Sequence, residues 1–345
     1  MNCELKIKQA GIVILNWNGK SLLEQFLPAL IACTDPDMAD IIVADNASTD
    51  RSLEFLEEHY PAVRRIALDK NYGFAAGYNK ALFPMKYEYT VLLNSDVQVT
   101  PGWLRSAVEY LDKNPEVAAI QPKILSFHNQ THFEYAGAAG GFLDVYGYPF
   151  CRGRIFNDTE PDTGQYDAPM DVFWGSGACL IIRLETFRQA GGFDPRFFAH
   201  QEEIDLCWRL KSKGERIVCL PASVVFHVGG ATLKMETPRK TFLNFRNSLL
   251  MLYKNLPKKY YAKVMLCRFF LDYLAALHFL FKGLPANASA VRKARLDFHR
   301  QKKYYLPLRE FDERADNCLP AGIMKKSLLK EYYIAKHKTY SSLSF

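Results

Sequence analysis

Three carboxylates lie within four positions of the sequence, at Glu202, Glu203 and Asp205, directly before a helical apolar pattern. Consecutive side chains of a helix point about 100° apart, so one glutamate can face a cleft while the other faces its surroundings. A carboxylate in a cleft can take a proton from a hydroxyl group. The same acids also suit an ordinary helix start, where negative charge is favourable, and Asp205 can pair with Arg209 one turn later. We assign Asp205 to that pair and keep both roles open for the two glutamates.

A second candidate site lies at Asn94 and Asp96, which follow a short apolar run. Oxygen-bearing side chains at this spacing can hold a hard divalent cation that bridges phosphate groups, although a plain turn would use the same residues. Such a cation would neutralise the charge that develops on a departing nucleoside diphosphate. His227 ends a later apolar run, and imidazole suits a transition ion such as Mn²⁺. Because a histidine in this position is more often structural than a ligand, both interpretations of His227 stay open.

Three further polar positions fit the binding of a nucleotide. Asp45 ends an apolar run, where its carboxylate can accept a nucleobase N–H or a ribose hydroxyl, although a turn before a helix is the alternative. Asn16 ends another apolar run. Asn71 opens a Gly/Ala-rich bend that runs into a helix, and a helix start favours anions such as pyrophosphate. Gly77 in that bend is equally consistent with close packing of a helix on a sheet.

The elements that carry these residues alternate regularly. Strands are predicted at residues 11–17, 40–46, 63–68, 89–94 and 117–124, with helical patterns between them and Pro101 at the first position of the fourth helix. Apolar strands joined by helices form a parallel sheet covered on both faces, so we predict an α/β fold with one mostly parallel, Rossmann-like sheet. Ligands of such sheets bind beyond the carboxyl ends of the strands, where the polar residues concentrate. Residues 129–171 predict a hairpin and a flexible loop beside the site.

Charge divides the chain into two regions. The net charge of +7 combines −8 in residues 1–232 with +15 in residues 233–345. We therefore predict a catalytic domain over residues 1–232 and a basic, amphipathic helical region over residues 233–345. The apolar content of the second region favours an anionic membrane surface as its partner, and we expect no nucleic acid.

Residues 260–282 are rich in Leu, Phe and Tyr but are interrupted by ionisable side chains, among them Arg268 and Asp272. Charges at the centre of a membrane-spanning helix are costly, whereas Arg268 and Asp272 lie four positions apart and can pair on one helix face. We predict a helix that lies in a membrane interface rather than crossing the membrane. Packing of this helix on the main domain is the alternative.

The composition is that of a globular protein, with 49% hydrophobic and 23% charged residues, which excludes a disordered or fibrous chain. The eight cysteines include no Cys-x-x-Cys pair and several lie in apolar runs, so we expect reduced thiols. Residues 1–11 contain no apolar stretch long enough for a signal peptide. We expect a cytoplasmic protein rather than a secreted one.

Seven segments, taken in order, resemble glycosyltransferase family 2 with the GT-A (nucleotide-diphospho-sugar transferase) fold: ILNWNG, VADNASTD, NYGFAAGYN, LLNSD, FWGSGACLIIR, FFAHQEEIDLCWR and VVFHVGG. The pattern is most similar to bacterial rhamnosyltransferase-like and galactofuranosyltransferase-like members, and it covers about residues 11–257. The resemblance implies an inverting transfer from a nucleotide-diphosphate sugar, UDP- or dTDP-linked, to a hydroxyl of a glycan or a polyprenyl-diphosphate-linked acceptor. It also implies cell-surface polysaccharide synthesis by an enzyme peripheral on the inner face of the plasma membrane, with Mn²⁺ or Mg²⁺ as cofactor.

The resemblance assigns each polar position a role. By similarity Asn16, Asp45 and Asn71 line the nucleotide pocket, Asn94 and Asp96 stand at the metal-binding acidic motif, Glu203 matches the catalytic base, Glu202 the acid before it, and His227 a late metal ligand. Two residues depart from the family pattern. Asn94 replaces a usual Asp, so one anionic ligand becomes neutral, and Glu203 replaces a usual Asp with a side chain one methylene longer.

Two other functions fit the sequence less well. A sugar nucleotidyltransferase of similar fold usually carries a Gly-rich phosphate loop with Arg or Lys after its first strand, whereas residues 16–20 contain one Gly and one Lys. A non-enzymatic adaptor that docks on a membrane would leave the carboxylates at the strand ends without a function. Metal-dependent binding of a nucleotide would separate an enzyme from an adaptor.

Overall fold

A computed structural model describes residues 8–229, 237–307 and 318–343. The α-helices are α1 (Lys20–Ala32), α2 (Ser52–His59), α3 (Gly73–Leu82), α4 (Trp103–Lys113), α5 (Leu184–Gln189), α6 (Glu202–Lys211), α7 (Pro238–Asn255), α8 (Lys258–Phe281) and α9 (Pro285–Gln301). The strands are β1 (Ala10–Asn16), β2 (Ala39–Asp45), β3 (Arg64–Ala67), β4 (Tyr89–Leu93), β5 (Val97–Val99), β6 (Val117–Ser126), β7 (Gly141–Asp144), β8 (Pro149–Cys151), β9 (Arg154–Ile155), β10 (Asp158–Thr159), β11 (Met170–Asp171), β12 (Cys179–Arg183), β13 (Arg216–His227) and β14 (Ile323–Met324).

The main sheet has the strand order β11-β13-β6-β12-β4-β1-β2-β3, with β5 paired to β13. Neighbours from β4 to β3 are parallel, β13 is parallel to β6, and β12 lies antiparallel between β4 and β6. Alternate residues of each central strand pack into two cores, Val13 and Leu92 on one face and Ile12 and Val91 on the other. Because both faces are buried, the strands are apolar throughout. The predicted mostly parallel α/β sheet is confirmed.

The five predicted strands lie within two residues of the observed β1, β2, β3, β4 and β6 at each end. The predicted start of the fourth helix at Pro101 is wrong, because α4 begins at Trp103. Gly102 has a φ of 78° and closes the turn between Pro101 and the helix. A side chain is strained at that φ, and glycine adopts it freely.

Residues 129–171 are more ordered than a hairpin with a flexible loop. β7 and β8 form the predicted hairpin, but β9 and β10 extend it into a second sheet in the order β10-β9-β8-β7-β14. The strand β14, from far along the chain, pairs in parallel with β7. The predicted loop is present at residues 160–169, which belong to no strand or helix of the structure, whereas the added strands were not predicted because a segment distant in sequence supplies part of their pairing.

The C-terminal helices pack on residues 8–229 through apolar side chains of a shared core and through polar contacts. On α8, Arg268 pairs with Asp272 at 3.1 Å, and Arg268 also donates to the Tyr146 carbonyl at 3.0 Å, so the predicted pair is confirmed and is buried against the protein. The opposite face of α8 is apolar and exposed, and Phe281 is 90% exposed. Among the described residues, α8 is the one helix whose length and composition would allow it to cross a membrane. The predicted domain boundary between residues 232 and 233 lies outside the described residues.

Candidate functional site

The carboxyl ends of β1 and β2 place Asn16 beside Asp45. The parallel register pairs these two residues directly, and both side chains are buried. Asn16 Nδ2 donates to Ser48 Oγ at 3.1 Å, and the Ser48 amide donates to Asp45 Oδ1 at 2.8 Å. Asp45 therefore makes the contact expected of a turn before a helix, the alternative to a ligand-binding role. Asn16 Oδ1 is buried without a hydrogen-bond partner in the described part of the chain, which leaves an acceptor for a ligand or a water.

Asn46, which sequence reasoning did not single out, organises the start of α3. Its Oδ1 accepts from the Tyr72 amide at 2.9 Å, and its Nδ2 donates to the Gly73 carbonyl at 3.1 Å and to Asn71 Oδ1 at 3.2 Å. Asn71 Oδ1 also accepts from the Gly73 amide at 2.8 Å. The signal available in the sequence was the position of Asn46 at the end of a strand, next to Asp45.

The amide groups at the start of α3 are already bonded inside the protein. The Phe198 carbonyl accepts from the Phe74 amide at 2.7 Å and from the Ala75 amide at 3.2 Å, while Asn71 takes the Gly73 amide. A helix N-terminus binds an anion through free amides. The expected pyrophosphate contact at this helix start is therefore wrong, and the place of Asn71 in a nucleotide pocket stays a prediction.

Asp96 and His227 lie close together because β13 pairs antiparallel with β5. In this register His227 lies opposite Val97, the residue that follows Asp96. His227 Nε2 lies 3.2 Å from Asp96 Oδ1, and His227 Nδ1 lies 3.1 Å from Glu134 Oε2. All three ionisable side chains are buried. Burial lowers the pKa of His227, but the carboxylates of Asp96 and Glu134 outweigh it and raise this pKa to about 10. Sequence reasoning missed Glu134, which lies in the region that carried no clear pattern.

The Asp96–His227 pair fits part of a metal site. Carboxylate oxygen and neutral imidazole nitrogen both bind Mn²⁺, so an ion at this 3.2 Å pair would have to displace the proton that the two carboxylates stabilise on His227. Among the described residues there is no group of three or more His, Cys, Asp or Glu side chains that could hold an ion. An ion at this pair would therefore need oxygens from a substrate, as divalent cations bound to phosphates commonly have.

The backbone before α6 is strained. Phe198, His200 and Gln201 have φ values of 65°, 71° and 72°, which are uncommon for residues with a side chain and cluster at functional sites. Buried polar atoms without a hydrogen-bond partner in the described ranges are concentrated in the same stretch: His200 Nε2, Gln201 Oε1, Glu202 Oε2 and Glu203 Oε2. Four such atoms on consecutive residues are polar groups that a water or a polar ligand could partner.

Burial raises the pKa of both glutamates. The pKa of Glu203 rises from its ordinary value of 4.5 to about 7. The pKa of Glu202 rises well above 4.5, through burial and through the charge of Glu203. A carboxyl group that titrates near neutral pH can both take and release a proton under physiological conditions.

The pKa of Asp205, two positions after Glu203, is shifted in the opposite direction. It is fully buried, yet Lys254 at 2.8 Å and Arg209 at 3.0 Å lower its pKa. The predicted pairing of Asp205 with Arg209 is confirmed, and Lys254 of α7 adds a second cation that the sequence did not reveal.

Asn94 and the segment around Ala178 join several motifs at one edge of the sheet. The Asn94 amide donates to the Ala178 carbonyl at 2.9 Å. A Cβ on the neighbouring Gly177 would lie 3.0 Å from the ring of Phe74 on α3. The motifs LLNSD, FWGSGAC and NYGFAAGYN are therefore adjacent in the fold, as expected from their places at strand and helix ends.

The two glutamates are not in direct contact with the Asp96–His227 pair. Within residues 8–229, 237–307 and 318–343, no hydrogen bond or ion pair joins Glu202 or Glu203 to Asp96 or His227. Their convergence on one cleft stays a prediction. Phe198, whose carbonyl bonds to α3, is the link between the glutamate loop and the strand ends.

Residues 11–177 match the family model described as Glycosyl transferase family 2. An N-acetylglucosaminyl-diphospho-decaprenol L-rhamnosyltransferase of Mycobacterium tuberculosis is 27% identical over 231 residues, which cover 63% of this chain and 75% of that protein. The rhamnosyltransferase WbbL of Escherichia coli K12 is 24% identical over 226 residues, which cover 63% of this chain and 82% of that protein. The family match includes Asn16, Asp45, Asn71, Asn94 and Asp96, and it ends before the glutamates and His227.

Solved structures show the same fold at lower identity. The structure of GalNAc-T7 with UDP, GalNAc and Mn²⁺ aligns with a TM-score of 0.57 and 17% identity over 92% of this chain and 59% of that chain. The mannosyltransferase PcManGT of Pyrobaculum calidifontis, in complex with GDP-Man and Mn²⁺, aligns with a TM-score of 0.52 and 16% identity over 89% of this chain and 81% of that chain. At these identities the likeness establishes the architecture alone.

Proposed function

The chain contains a glycosyltransferase family 2 domain with the GT-A fold, and on that premise we propose the reaction it performs. It transfers a sugar from a nucleotide-diphosphate sugar to a hydroxyl group of a lipid-linked glycan, with inversion at the anomeric carbon. The observation that carries this proposal is the Asp96–His227 contact of 3.2 Å at the strand ends of the sheet. The relatives named rhamnosyltransferases favour glycosyl transfer over a nucleotidyltransferase or an adaptor.

Glu203 is the proposed general base. The acceptor oxygen forms a bond to the anomeric carbon while the bond from that carbon to the diphosphate breaks, and Glu203 receives the hydroxyl proton. Its pKa of about 7 suits this step, because the carboxylate is available near neutral pH and holds the proton it takes. Glu202 Oε2, buried and without a hydrogen-bond partner in the described residues, is proposed to help hold the acceptor hydroxyl.

Asp96 and His227 are the proposed protein ligands of a divalent cation, Mn²⁺ or Mg²⁺, with Asn94 beside them. When bound, such an ion stabilises negative charge on the departing diphosphate. Glu134 contacts the other ring nitrogen of His227 and thereby orients the imidazole, as carboxylates behind metal-binding histidines do. Asn16 Oδ1 and Asp45 are proposed to contact the nucleotide, UDP or dTDP, with Asn71 nearby.

The acceptor is proposed to be a polyprenyl-diphosphate-linked glycan in an anionic membrane. One relative acts, by its name, on a diphospho-decaprenol substrate. The exposed face of α8 offers a broad apolar surface, and exposed lysines lie near its two ends, Lys258, Lys259 and Lys263 at the start and Lys282 directly after the end. Because the polar side of α8 is bound to the protein through Arg268, its apolar side is free to enter a lipid interface. This arrangement supports a cytoplasmic enzyme peripheral on the inner face of the plasma membrane.

The test of the reaction is diphosphate release from a panel of UDP- and dTDP-sugars, with Mn²⁺ or Mg²⁺ and mixed lipid-linked acceptors. We expect release that needs one donor, a metal and an acceptor, and that disappears in Asp96→Ala. Pyrophosphate release from a nucleoside triphosphate and a sugar phosphate would indicate a nucleotidyltransferase instead. Failure of any nucleotide to bind with Mn²⁺, measured by calorimetry, would indicate an adaptor.

The test of the membrane surface is flotation with vesicles. The double variant Leu274→Glu and Leu277→Glu places charges on the exposed face of α8, and we expect at least tenfold weaker binding to phosphatidylglycerol vesicles. Ile31→Glu, which changes an exposed apolar residue of α1, is the matched control and should bind like the wild type. Equal binding by all three proteins would show that α8 does not contact lipid.

A further inference from the structure

The loop that leads into Glu202 and Glu203 is held by two consecutive side chains of α7, outside the region that matches the family model. Asn247 Nδ2 contacts the carbonyl oxygens of Phe197 and Ala199, each at 2.9 Å. The same nitrogen lies 2.7 Å from the His200 carbonyl oxygen. One fully buried amide, with two hydrogens to donate, therefore contacts three of the four carbonyls between residues 197 and 200.

Arg246 completes this clamp and orients it. Its Nη2 donates to the Arg196 and Phe197 carbonyls at 2.9 and 3.0 Å, and its Nε donates to Asn247 Oδ1 at 2.9 Å. Because Asn247 Oδ1 accepts from Arg246, the NH₂ end of the amide must face the loop. The guanidinium itself is buried and pairs with Asp297 of α9 at 3.5 Å.

The remaining carbonyl is held from the opposite side. Phe198 accepts from the Phe74 and Ala75 amides at the start of α3. Every carbonyl from Arg196 to His200 therefore accepts a hydrogen bond from a group on α3 or α7. The loop is fixed between the helix beside the strand ends and a helix of the basic C-terminal region.

These contacts are needed to hold the loop, because its backbone conformation is unfavourable by itself. Phe198, His200 and Gln201 have positive φ values, and such a backbone persists only where the surroundings determine it. The direction of the chain at Gln201 sets the direction in which α6 begins and in which Glu203 points. Errors of about 1 Å in a catalytic group can reduce a rate about 10²-fold.

We propose that Asn247 is a positioning residue of the transfer reaction, with Arg246 orienting its amide. Asn247 acts through the loop that carries the base and touches neither donor nor acceptor. This inference rests on the proposed role of Glu203, and it makes α7 a part of the catalytic apparatus rather than only of a membrane-binding region.

The experiment compares Asn247→Ala and Asn247→Asp with Asn255→Ala in the full-length protein. Asn255 is the matched control, since it is a buried amide on the same helix whose Nδ2 donates to Asp205 Oδ1 and the Met251 carbonyl rather than to the loop. We expect Asn247→Ala to lower kcat about 10²-fold while the donor KM changes less than about threefold. Asn247→Asp should lower kcat at least as much, because a carboxylate cannot donate to carbonyl oxygens. Asn255→Ala should keep kcat within about threefold of the wild type.

Hydrogen exchange of the amides in residues 198–205 is the second readout, and it does not depend on transfer activity. Asn247→Ala should exchange these amides faster at temperatures where it is folded, and Asn255→Ala should not. If the wild type transfers no sugar, the proposed function fails, yet the exchange still tests the clamp. Wild-type exchange and kcat in Asn247→Ala would overturn the proposal, as would equal kcat losses in Asn247→Ala and Asn255→Ala. If Asn247→Ala does not fold, Asn247→Ser, which retains one donor, takes its place in both measurements.

Discussion

The proposed nucleotide edge, formed by Asn16, Asp45 and Asn46, and the glutamate loop, residues 196–203, are built in opposite ways. At the edge, Asn16, Asp45 and Asn46 bond to partners that lie within about 30 positions in sequence. The loop before Glu203 depends on α3 and α7, which lie more than 40 positions away on either side. Both regions contain residues with positive φ, so strain does not separate them. The two regions differ instead in how many buried polar atoms have a hydrogen-bond partner. Among the described residues, the edge leaves one buried side-chain atom without a partner and the loop leaves four.

This difference indicates where ligands are expected to complete the structure. An edge held by local hydrogen bonds, with Asn16 Oδ1 as its one unpartnered buried atom among the described residues, can keep its shape before a nucleotide arrives. The loop instead carries two carboxylates whose Oε2 atoms are buried without a hydrogen-bond partner in the described part of the chain, which is costly until a substrate hydroxyl supplies one. A variant that removes a carboxylate of the loop should therefore lower activity and raise stability. A variant at the edge should lower stability with little change in kcat.

The largest effect is expected from Glu203→Gln, which removes the proposed base and keeps its size. We expect kcat to fall about 10³-fold, within the range of general-base contributions. In the wild type, kcat should rise as pH increases through about 7, because the base acts only when deprotonated. Steady-state kinetics between pH 5.5 and 8.5 measures both.

The control for this variant is Glu57→Gln, which changes an exposed glutamate of α2. It should leave kcat and its pH profile unchanged. A Glu203→Gln enzyme with more than a tenth of wild-type kcat would show that another residue is the base. The glutamate loop would then have no catalytic role to set against the edge.

How far the sequence predicts these two regions follows from how each is built. Strands β1 and β2 and the polar residues at their ends were predictable, because alternation of apolar runs and helices determines which ends share an edge. The Arg268–Asp272 pair was predictable for the same reason, since both residues lie on one helix. Local periodicity carries that information.

Contacts between distant residues were not predictable in this way. Glu134 lies in a region without a pattern, and Asn247 lies on a helix whose only visible signal was its charge and apolar content. The satisfied amides at the start of α3 were hidden as well, because Phe198, their acceptor, is more than 120 positions away. A single sequence shows which groups could bind a ligand, but the fold decides which of them are already occupied.

The next largest effect concerns stability and has the opposite sign from activity. The folded-state pKa of Glu203, about 7, lies above its ordinary 4.5, so the wild type loses stability as pH rises from 4.5 to 7. This shift corresponds to about 3 kcal/mol at pH 8. Glu203→Gln should therefore unfold at a higher temperature than the wild type at pH 8, and the difference should shrink toward pH 5. Calorimetric scans at the two pH values measure it.

A lower unfolding temperature for Glu203→Gln at pH 8 would mean that the carboxylate is stabilised inside the protein. In that case the loop would resemble the nucleotide edge, and the contrast between the two regions would not hold.

A smaller effect is expected on the other side, from Asn46→Ala. This change removes three hydrogen bonds at the start of α3 and leaves the Tyr72 amide without its acceptor. We expect a loss of stability of about 1–3 kcal/mol and, because α3 adjoins the edge, a rise of about tenfold in the donor KM with little change in kcat. Thermal unfolding and donor titrations measure these changes.

Gln9→Ala, which removes an exposed amide bonded to Asp112, is the control and should change stability by less than about 0.5 kcal/mol. If Asn46→Ala changed kcat rather than the donor KM, the edge would be part of the chemical step.

The smallest effect is expected from Asn94→Asp, which places the family's usual carboxylate two positions before Asp96. A second anionic oxygen near the proposed ligands Asp96 and His227 should raise Mn²⁺ affinity a few-fold, because carboxylates are preferred ligands of hard cations. Calorimetric titration of Mn²⁺ in the presence of the donor nucleotide measures the change.

Gln98→Glu adds the same charge on β5 and controls for the general electrostatic field. Equal gains in both variants would show that charge alone attracts the ion, whereas a gain confined to Asn94→Asp would place residue 94 within reach of it. The second outcome would mean that this chain binds its metal through Asp96 and His227 with a neutral neighbour, and that the substrate's diphosphate supplies the charge that Asn94 lacks.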